Sequence, residues 1–324
     1  MAKGNEPVFK WSLGLIVGVL FCMGKAFADP VMLKPPQLLL AMQQSMASLN
    51  YHGTLAILKN AKLDTLQYFH AVQKGVEQER LLSLNSPLRE VIRDVDAVSC
   101  IYKASQQVVI DHKPIGQSFL QALPEIPAVL DSSYDLIAEG DEHVALQPVD
   151  VLLVKPRDQF RYARKFWITK QTHLPLKIEV QDFTGETLEQ IIFTDLRVVE
   201  QLSSVAVEVK DKKVQHIHQF DDLGLDKLPL QLKHLPVGFE KRVFTRMHLH
   251  PSDKAVEQLL LSDGLSSVSV YLEKNPQNFH AGLQTAGAVN SLSRVIGDYS
   301  ITVIGDVPAA TVELIVQGIS FSKS

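Results

Sequence analysis

The chain has 324 residues, a length that suits one large domain or two domains of ordinary size. Its hydrophobic fraction of 46% is enough to build a sizeable core, which excludes a largely disordered chain. The formal net charge of −4 argues against nucleic-acid binding, which calls for a basic surface.

The N-terminus has the three parts of a secretory signal peptide. Lys3 and Lys10 precede an apolar run, Trp11–Met23, and Ala26-Phe27-Ala28 places small residues at positions −3 and −1. A permanent membrane anchor is the alternative, but it needs about 20 apolar residues and this run is shorter. We therefore expect residues 1–28 to be removed and the mature protein to lie in the periplasm.

Removal of residues 1–28 changes the charge and the cysteine count. Three lysines and one glutamate leave, so 32 − 3 = 29 basic and 36 − 1 = 35 acidic side chains remain, a net charge of −6. Cys100 then stays as a single cysteine in an apolar, strand-like run, where packing is a better interpretation than chemistry. Without an intrachain disulfide, the mature fold must be held by its core.

The mature chain begins with a helix pattern and continues with strand patterns. Leu39, Met42, Met46 and Leu49 recur at helical spacing within Gln37–Leu49 and predict an amphipathic helix. Strands are predicted at Tyr51–Leu58, Leu66–Val72, Glu79–Leu84, Arg89–Arg93, Ala97–Lys103, Gln107–Asp111 and Val144–Val154. Ser118–Leu130 contains two prolines and predicts at most a short irregular helix, and Asp131–Ala138 predicts a short turn or helix.

The clearest pattern is a β-meander over Phe166–Val198. Its apolar residues alternate with polar ones, which indicates strands buried on one face. Pro175 and Gly185 mark the two turns of the meander. Asp182-Phe183-Thr184-Gly185 superficially resembles an acid-protease loop, but its spacing differs, and a turn is the better interpretation.

The second half predicts a smaller α+β domain. A linker is expected within Lys210–Leu230, with the boundary near Asp221, so that the domains are 29–220 and 221–324. Gln258–Leu261 and Val268–Glu273 predict strands around an Asp-Gly turn. Further features are a compact turn at Leu235–Phe239, a strand bounded by the repeated Val-Ile-Gly-Asp tetrapeptides at 295–298 and 303–306, and a final helix over Pro308–Val316.

The sequence contains no constellation typical of an enzyme. A nucleophile elbow, a paired-histidine zinc motif, a P-loop and a dinucleotide-binding glycine pattern are all missing. Two His-x-His pairs, His216/His218 and His248/His250, could each present two imidazoles on one strand face, but the sequence does not supply further ligands. We interpret the protein as a non-enzyme without a metal or cofactor, and a metal-dependent hydrolase as the remote alternative.

A basic cluster precedes the meander. It comprises Lys155, Arg157, Arg161, Arg164 and Lys165, with the aromatic residues Phe160 and Tyr162 interleaved. An exposed loop with routine charges is one interpretation. The functional interpretation is a docking surface for an acidic peptide or a phosphorylated lipid headgroup, which cationic side chains bind well. Arg157, Phe160, Arg161, Tyr162, Arg164 and Lys165 are accordingly the candidate partner- or lipid-binding residues.

The mature chain resembles the RseB/MucB family, periplasmic regulators of the sigma-E envelope stress response. The resemblance spans nearly the whole chain and weakens over Ala97–Asp150. It is carried by the order and spacing of Leu38–Tyr51, Ser86–Val91, Phe166–Val198, Leu235–Phe239, Leu261–Leu265, Val268–Val270 and Ile301–Gly305.

The resemblance implies a mainly β fold with helices. A bent antiparallel sheet like that of lipoprotein carriers, a half-barrel, would be followed by the smaller C-terminal α+β domain. Trp167, Leu174, Pro175, Leu176 and Gly185 would then frame the bent sheet, and the basic cluster at its entry would be the place to look for a ligand.

The resemblance also implies a function. The protein would bind the periplasmic region of the membrane-spanning anti-sigma factor RseA and shield it from proteolysis, and lipid or lipopolysaccharide would relieve that binding. A periplasmic lipid or lipoprotein carrier is the alternative, although a simple carrier does not need a second domain. Self-association into a homo-oligomer is left open by the sequence.

Processing of the N-terminus gives the first testable outcome. We expect the intact mass of the protein isolated from the cell envelope to correspond to a chain that begins at Asp29. A mass that retains Met1, or one that carries a lipid on Cys22, would contradict the signal-peptide prediction.

Overall fold

The structure is a computed structural model that describes Met1 and residues 33–321, with gaps at 86, 95–96, 103–106, 113–119, 121–131, 203–212, 248–254 and 275–279. In residues 107, 110–112 and 213–219 only the backbone is described. The predicted signal peptide and the irregular segment predicted at Ser118–Leu130 lie almost wholly outside the described residues. The described residues from Lys34 onward belong to one compact unit.

The described chain is mainly β with helices, as predicted. The helices are α1 (Pro35–Ser48) and α2 (Ala309–Gly318), with a short 3-10 helix at Leu225–Lys227. The strands of the first part are β1 (Asn50–Lys59), β2 (Lys62–Gln73), β3 (Val76–Ser83), β4 (Arg89–Arg93), β5 (Ala97–Tyr102), β6 (Gln107–His112), β7 (Tyr134–Val144), β8 (Gln147–Pro156), β9 (Ala163–Thr169), β10 (Pro175–Gln181) and β11 (Thr187–Val199). The later strands are β12 (Lys213–Asp222), β13 (Leu230–Leu232), β14 (Glu240–Met247), β15 (Val256–Ser262), β16 (Ser267–Lys274), β17 (Gly282–Ala286), β18 (Val289–Ile296), β19 (Tyr299–Gly305) and β20 (Ile319–Phe321).

The strands of the first part form an open antiparallel sheet, here called the N-terminal sheet. Its order is β7-β8-β9-β10-β11-β1-β2-β3-β4-β5-β6. Strand β12 adds to β6, and this is a parallel pairing within an otherwise antiparallel sheet. The predicted meander is present as β9, β10 and β11, with β8 and β1 as its outer neighbours.

The second part, here called the C-terminal sheet, continues from the far end of β12. Phe220–Asp222 of β12 pair with β14, and the order then runs β14-β15-β16-β19-β18-β17. Helix α2 packs against β18 and β19, so its buried residues Val312, Ile315 and Val316 join the core of this sheet. The small ladder β13–β20 lies beside the same core.

Helix α1 covers part of the N-terminal sheet near β7 and β8. Its buried residues are Leu38, Leu39, Met42 and Met46, which lie on one stripe because they are spaced at one, three and four positions. Pro35 and Pro36 suit the first turn, where the backbone N–H groups have no helical partner. The predicted opening helix is confirmed.

The centre of the meander is more deeply buried than the sequence pattern predicted. Phe166 and Trp167 are adjacent on β9 and so point to opposite faces, yet they are only 1% and 4% exposed. The prediction of strands buried on one face is therefore wrong for β9. One reason is that the C-terminal part reaches the face that carries Arg164, whose guanidinium pairs with Asp306.

Three local predictions differ from the structure. The segment predicted as a turn or helix at Asp131–Ala138 enters strand β7 at Tyr134. The strand predicted over Val144–Val154 is interrupted by a two-residue turn at 145–146, so Val144 ends β7 and the rest belongs to β8. The expected linker contains strand β12, because pairing with β6 and β14 overrides its charged local sequence.

Neither of the two described α-helices is long and apolar enough to cross a bilayer.

Candidate functional site: the seam between the two sheets

A polar seam joins the two sheets at a place far from strand β12 in sequence. On the N-terminal side it is formed by the start of β7, the loop at 157–162 and the start of β9. On the C-terminal side it is formed by turns next to β14, β15, β18 and β19 and by the first turn of α2. The participating residues are Ser133, Tyr134, Phe160, Arg161, Tyr162, Arg164, Val237, Phe239, Asp263, Ala288, Asn290, Asp306 and Thr311.

Arg161 is the centre of the seam. Although it is charged, it is only 2% exposed. Its Nε donates to Asp263 Oδ2 at 2.5 Å, and its two terminal nitrogens donate to Asp158 Oδ2 and to the carbonyl oxygen of Val237. One guanidinium thus binds its own loop and two separate turns of the C-terminal part. It can do so because its N–H donors point in several fixed directions within one plane.

Asp263 is fully buried and is saturated with donors. Its Oδ2 accepts from Arg161 and from the hydroxyl of Tyr134 at 2.8 Å. Its Oδ1 accepts from the backbone N–H groups of Leu265 at 2.9 Å and Ser266 at 2.7 Å. The Asp-Gly turn predicted from the sequence is therefore also the acceptor end of a buried ion pair.

The electrostatics follow from this arrangement. Burial raises the pKa of Tyr134 above its ordinary range, and the neighbouring Asp263 carboxylate adds to the rise. Burial alone would lower the pKa of Arg161, but the hydrogen bond to Asp263 and the nearby negative charge raise it. Rings of Tyr134 and Phe239 lie 5.5 and 5.0 Å from the Arg161 guanidinium carbon, so aromatic faces cover the cation. Arg161 therefore keeps its positive charge while the seam is closed.

A second group of contacts extends the seam along the start of β9. The guanidinium of Arg164 pairs with the carboxylate of Asp306. The side-chain amide of Asn290 donates to Tyr162 Oη at 3.1 Å and to the carbonyl of Val307 at 2.8 Å. The hydroxyl of Thr311, in the first turn of α2, donates to the carbonyl of Phe160 at 2.7 Å.

A small apolar contact lies at the end of the seam. Tyr162, Val180 and Ala288 form a buried cluster, against which Leu188 packs. The amide of Ala288 also donates to the carboxylate of Glu189 at 3.3 Å. The apolar cluster is small, so polar contacts carry most of the specificity of the seam.

The structure divides the basic cluster that the sequence singled out. Phe160, Arg161, Tyr162 and Arg164 come together in the seam, where Arg164 is 4% exposed. Arg161 and Arg164 therefore do not face solvent in this arrangement, and a docking surface that uses them would require the seam to open. The docking surface predicted from these six residues is therefore not continuous in the closed molecule.

Arg157 and Lys165, the other two candidates, lie outside the seam. The Arg157 guanidinium pairs with Asp135 at 2.8 Å, and both side chains are about half exposed. The Lys165 ammonium pairs with Glu139 at 2.7 Å and retains 20% exposure. Binding of a partner or lipid by these residues stays a prediction.

The predicted frame residues occupy the interior of the meander and its turns. Leu174 and Leu176 are 1% and 0% exposed, and Pro175 begins β10, where a missing N–H is tolerated. The indole N–H of Trp167 donates to Glu142 at 2.8 Å, and the Lys177 ammonium lies 4.0 Å from its ring centroid. The role of these residues as the frame of a ligand-binding sheet remains a prediction.

The turn after β10 is confirmed as a turn. Asp182 Oδ1 accepts from the hydroxyl and the amide of Thr184 and from the amide of Glu186, at 2.6, 2.8 and 2.9 Å. These bonds lower the pKa of Asp182, and the hydrogen bond from the Thr184 hydroxyl has the largest effect. Gly185 takes φ +87°, a left-handed conformation that glycine adopts without strain.

The side chains of the two histidine pairs lie outside the described part of the structure. His248 and His250 lie outside the described residues, and His216 and His218 are described only by their backbone on β12. Within the described residues, no group of three or more histidine, cysteine or acidic side chains could hold a metal ion.

Sequence reasoning missed the C-terminal partners of the seam, which are two acceptors, Asp263 and Asp306, and one donor, Asn290. Asp263 was assigned only to a turn, Asp306 only to a repeated tetrapeptide, and Asn290 was not singled out. Each lies more than 100 residues from its partner in the N-terminal part. The one local indication of a buried acceptor is Asp263, a charged residue in a turn between two apolar strands.

Loss of the central cation tests the energetics of the seam. Arg161→Met should lower the free energy of unfolding by about 3–5 kcal/mol, because it leaves the Asp263 carboxylate buried without its cation. Arg157→Met is the matched control in the same loop, and its exposed pair should contribute less than about 1 kcal/mol. Urea unfolding followed by the fluorescence of Trp167, the single tryptophan after removal of residues 1–28, measures both variants. Equal, small effects would contradict the central role of Arg161.

Comparison with known proteins places the chain in a family. The model for the MucB/RseB N-terminal domain matches residues 34–215, and the model for the MucB/RseB C-terminal domain matches residues 225–320. The boundary predicted near Asp221 falls between the two matches, and the proposed domain limits stay predictions.

Relatives match over nearly their whole length. The sigma-E factor regulatory protein RseB of Salmonella typhimurium is 27% identical over 96% of this chain and 97% of its own length. The sigma factor AlgU regulatory protein MucB of Pseudomonas aeruginosa is 29% identical over 83% of this chain and 85% of its own. The solved MucA/MucB complex of Pseudomonas aeruginosa contains a chain of the same fold, with a TM-score of 0.70 and 24% identity over 90% of this chain and 99% of the other. The two domain models together span most of the mature chain, and the protein therefore belongs to the MucB/RseB family.

Proposed function

We propose that this protein is a periplasmic negative regulator of the sigma-E stress response. It binds the periplasmic domain of a membrane-spanning anti-sigma factor of the RseA type and shields it from proteolysis. Lipid or lipopolysaccharide relieves that binding. The protein acts as a binding module and catalyses no reaction.

The observation that carries the proposal is the family match over both domains in the same order. Relatives that align along nearly this whole chain are named as regulators of sigma-E and of the sigma factor AlgU. Solved structures of the same fold contain MucB with MucA and with MucA(peri). A chain that carries both domains has what such a complex requires.

The chemistry of the seam supports a regulator more than an enzyme. Arg161 and Asp263 are the most deeply buried charged pair at the seam, and each is occupied by the other and by further hydrogen bonds. The described acids of the seam, Asp158, Asp263 and Asp306, each pair with an arginine. Their role is to hold two folded parts in one arrangement.

Regulation by a lipid has a physical requirement. A ligand shifts an equilibrium only if it binds one arrangement more tightly than another. A seam built mainly from ion pairs and hydrogen bonds can exchange those contacts for water, whereas a large apolar interface cannot open at low cost. The seam between the two parts is therefore the element that partner and lipid could bias in opposite directions.

A periplasmic lipid or lipoprotein carrier remains the second candidate from the sequence. Such a carrier does not need the C-terminal sheet or the seam that fixes it. The buried contacts between the two parts thus favour the regulator, and the transfer of an acylated cargo between membranes would favour the carrier.

Binding and protection are the direct test of the proposed function. We expect the purified mature protein to bind the periplasmic domain of its anti-sigma factor saturably and to slow the cleavage of that domain by its first protease. Added lipopolysaccharide should reduce both effects. Folded protein that shows no binding in a pull-down would overturn the proposal, and bound protein that leaves cleavage unchanged would remove its shielding part.

The cations outside the seam are the proposed contacts for an acidic segment or a lipid headgroup. Arg157→Glu combined with Lys165→Gln should weaken binding and flatten its dependence on salt, because fewer cations then attract the ligand. Arg197→Glu is the control, since Arg197 is 69% exposed on β11 and belongs to neither the seam nor the cluster. If the affinity and its salt dependence are unchanged, Arg157 and Lys165 do not contact the ligand and are ordinary surface charges.

A further inference from the structure

Among the described residues, β7 is the terminal strand of the N-terminal sheet and β17 is the terminal strand of the C-terminal sheet. Residues 213–219 of β12 and the short ladder β13–β20 also have an unpaired side, and only the two terminal strands are compared below. Strand β7 pairs only with β8, and β17 pairs only with β18, among the described residues. An edge strand presents unpaired backbone N–H and C=O groups that can pair with a strand of another chain. Proteins usually protect such edges.

Strand β7 carries the usual protection. Its side chains include four acids, Asp135, Glu139, Asp141 and Glu142. A bulge between Ala138 and Gly140 also breaks the register with β8. Charges and bulges both oppose the addition of another strand, so this edge is closed to edge-to-edge pairing.

Strand β17 has none of these devices. Its five residues, Gly-Leu-Gln-Thr-Ala, are uncharged and contain no proline, and their register with β18 is regular. All five are exposed, and Leu283 shows 45% of its surface to solvent. A flat, uncharged edge is expected to be covered in the working state of a protein.

The register identifies which backbone groups are presented. The hairpin closes with Ala286 opposite Val289 across a two-residue turn, so this is a hydrogen-bonded pair. Alternation along the strand then directs the N–H and C=O of Leu283 and Thr285 away from β18. The hairpin β18–β19 supports this assignment. It closes with Ile296 opposite Tyr299, so every second residue of β18 counted back from Ile296 bonds to β19, and the residues between them bond to β17.

We propose that the β17 edge binds an extended, uncharged segment of the anti-sigma factor's periplasmic domain by strand addition. This inference rests on the proposed function and names the mode and place of binding. The segment would donate to and accept from the backbones of Leu283 and Thr285, and its side chains on one face would lie beside that of Leu283.

A peptide segment fits this edge better than a second copy of the protein. A five-residue ladder is about 17 Å long and buries far less than the roughly 800 Å² per partner that a stable interface between folded bodies needs. An extended segment can continue past the ladder. The turn after β17 lies against the N-terminal sheet, where Ala288 bonds to Glu189, so the same segment would reach both parts of the molecule.

Strand β17 is also connected to the seam. The hydroxyl of Thr285 donates to Asn290 Oδ1 at 2.6 Å, and the amide of Asn290 donates to Tyr162 across the seam. A strand bound at β17 therefore contacts a residue whose side chain belongs to the network that joins the two sheets.

Hydrogen exchange measured on the complex tests the proposal. The probe is the purified periplasmic domain of the anti-sigma factor, added to the full mature protein. We expect the amides of Leu283 and Thr285 to exchange rapidly in the free protein and to slow when the domain binds, while those of Gln284 and Ala286 are protected in both states. Binding without slower exchange at Leu283 and Thr285 would overturn the inference and leave the proposed function standing. Absence of binding would overturn both.

Two variants and a matched control complete the experiment. Leu283→Pro removes an outward N–H without removing a bond to β18, and it should weaken binding about tenfold. His143→Pro makes the same change at an outward position of the protected edge β7 and should leave affinity unchanged. Leu283→Lys adds an edge charge without altering the backbone, so it tests the site even if the proline variant is unstable. Protection of β17 that appears with rising protein concentration and without the probe would assign the edge to a second copy and overturn the inference.

Discussion

One buried ion pair determines how the two parts of this protein are joined. Arg161 and Asp263 lie 102 residues apart in the chain, and both side chains are shielded from water. Desolvating two charges is costly, so such a pair persists only when hydrogen bonds satisfy the remaining atoms. Here Tyr134, Asp158 and the carbonyl of Val237 provide those bonds.

This constraint relates the fold to the function. The apolar meander and the core of the C-terminal sheet stabilise each part by burying surface, without specifying how the parts meet. The seam supplies that specification through directional contacts, including Arg164 with Asp306 and Asn290 with Tyr162. Because polar contacts can be exchanged for water, the joined arrangement can respond to a partner or a lipid that prefers a different one. The regulator proposed for this family member needs such a response and does not need a catalytic group.

Much of the fold could be predicted from local pattern, and little of the seam could. Strand β4 was predicted with its observed limits, and the opening helix and the meander were placed within a few residues, because periodic burial is a property of contiguous sequence. The short turn or helix predicted at Asp131–Ala138 is wrong from Tyr134 onward, because pairing with β8 makes that part a strand. Arg161 and Arg164 looked like surface cations because the acids that bury them, Asp263 and Asp306, are distant in sequence. No local pattern reports a contact of that kind.

The number of unfolding transitions tests the central claim most directly. If the Arg161–Asp263 pair joins the two parts energetically, calorimetry of the mature protein should show one cooperative transition, because neither part then unfolds alone. Arg161→Met should separate that transition into two, one for each part. Two independent transitions in the unaltered protein, unchanged by Arg161→Met, would contradict the account.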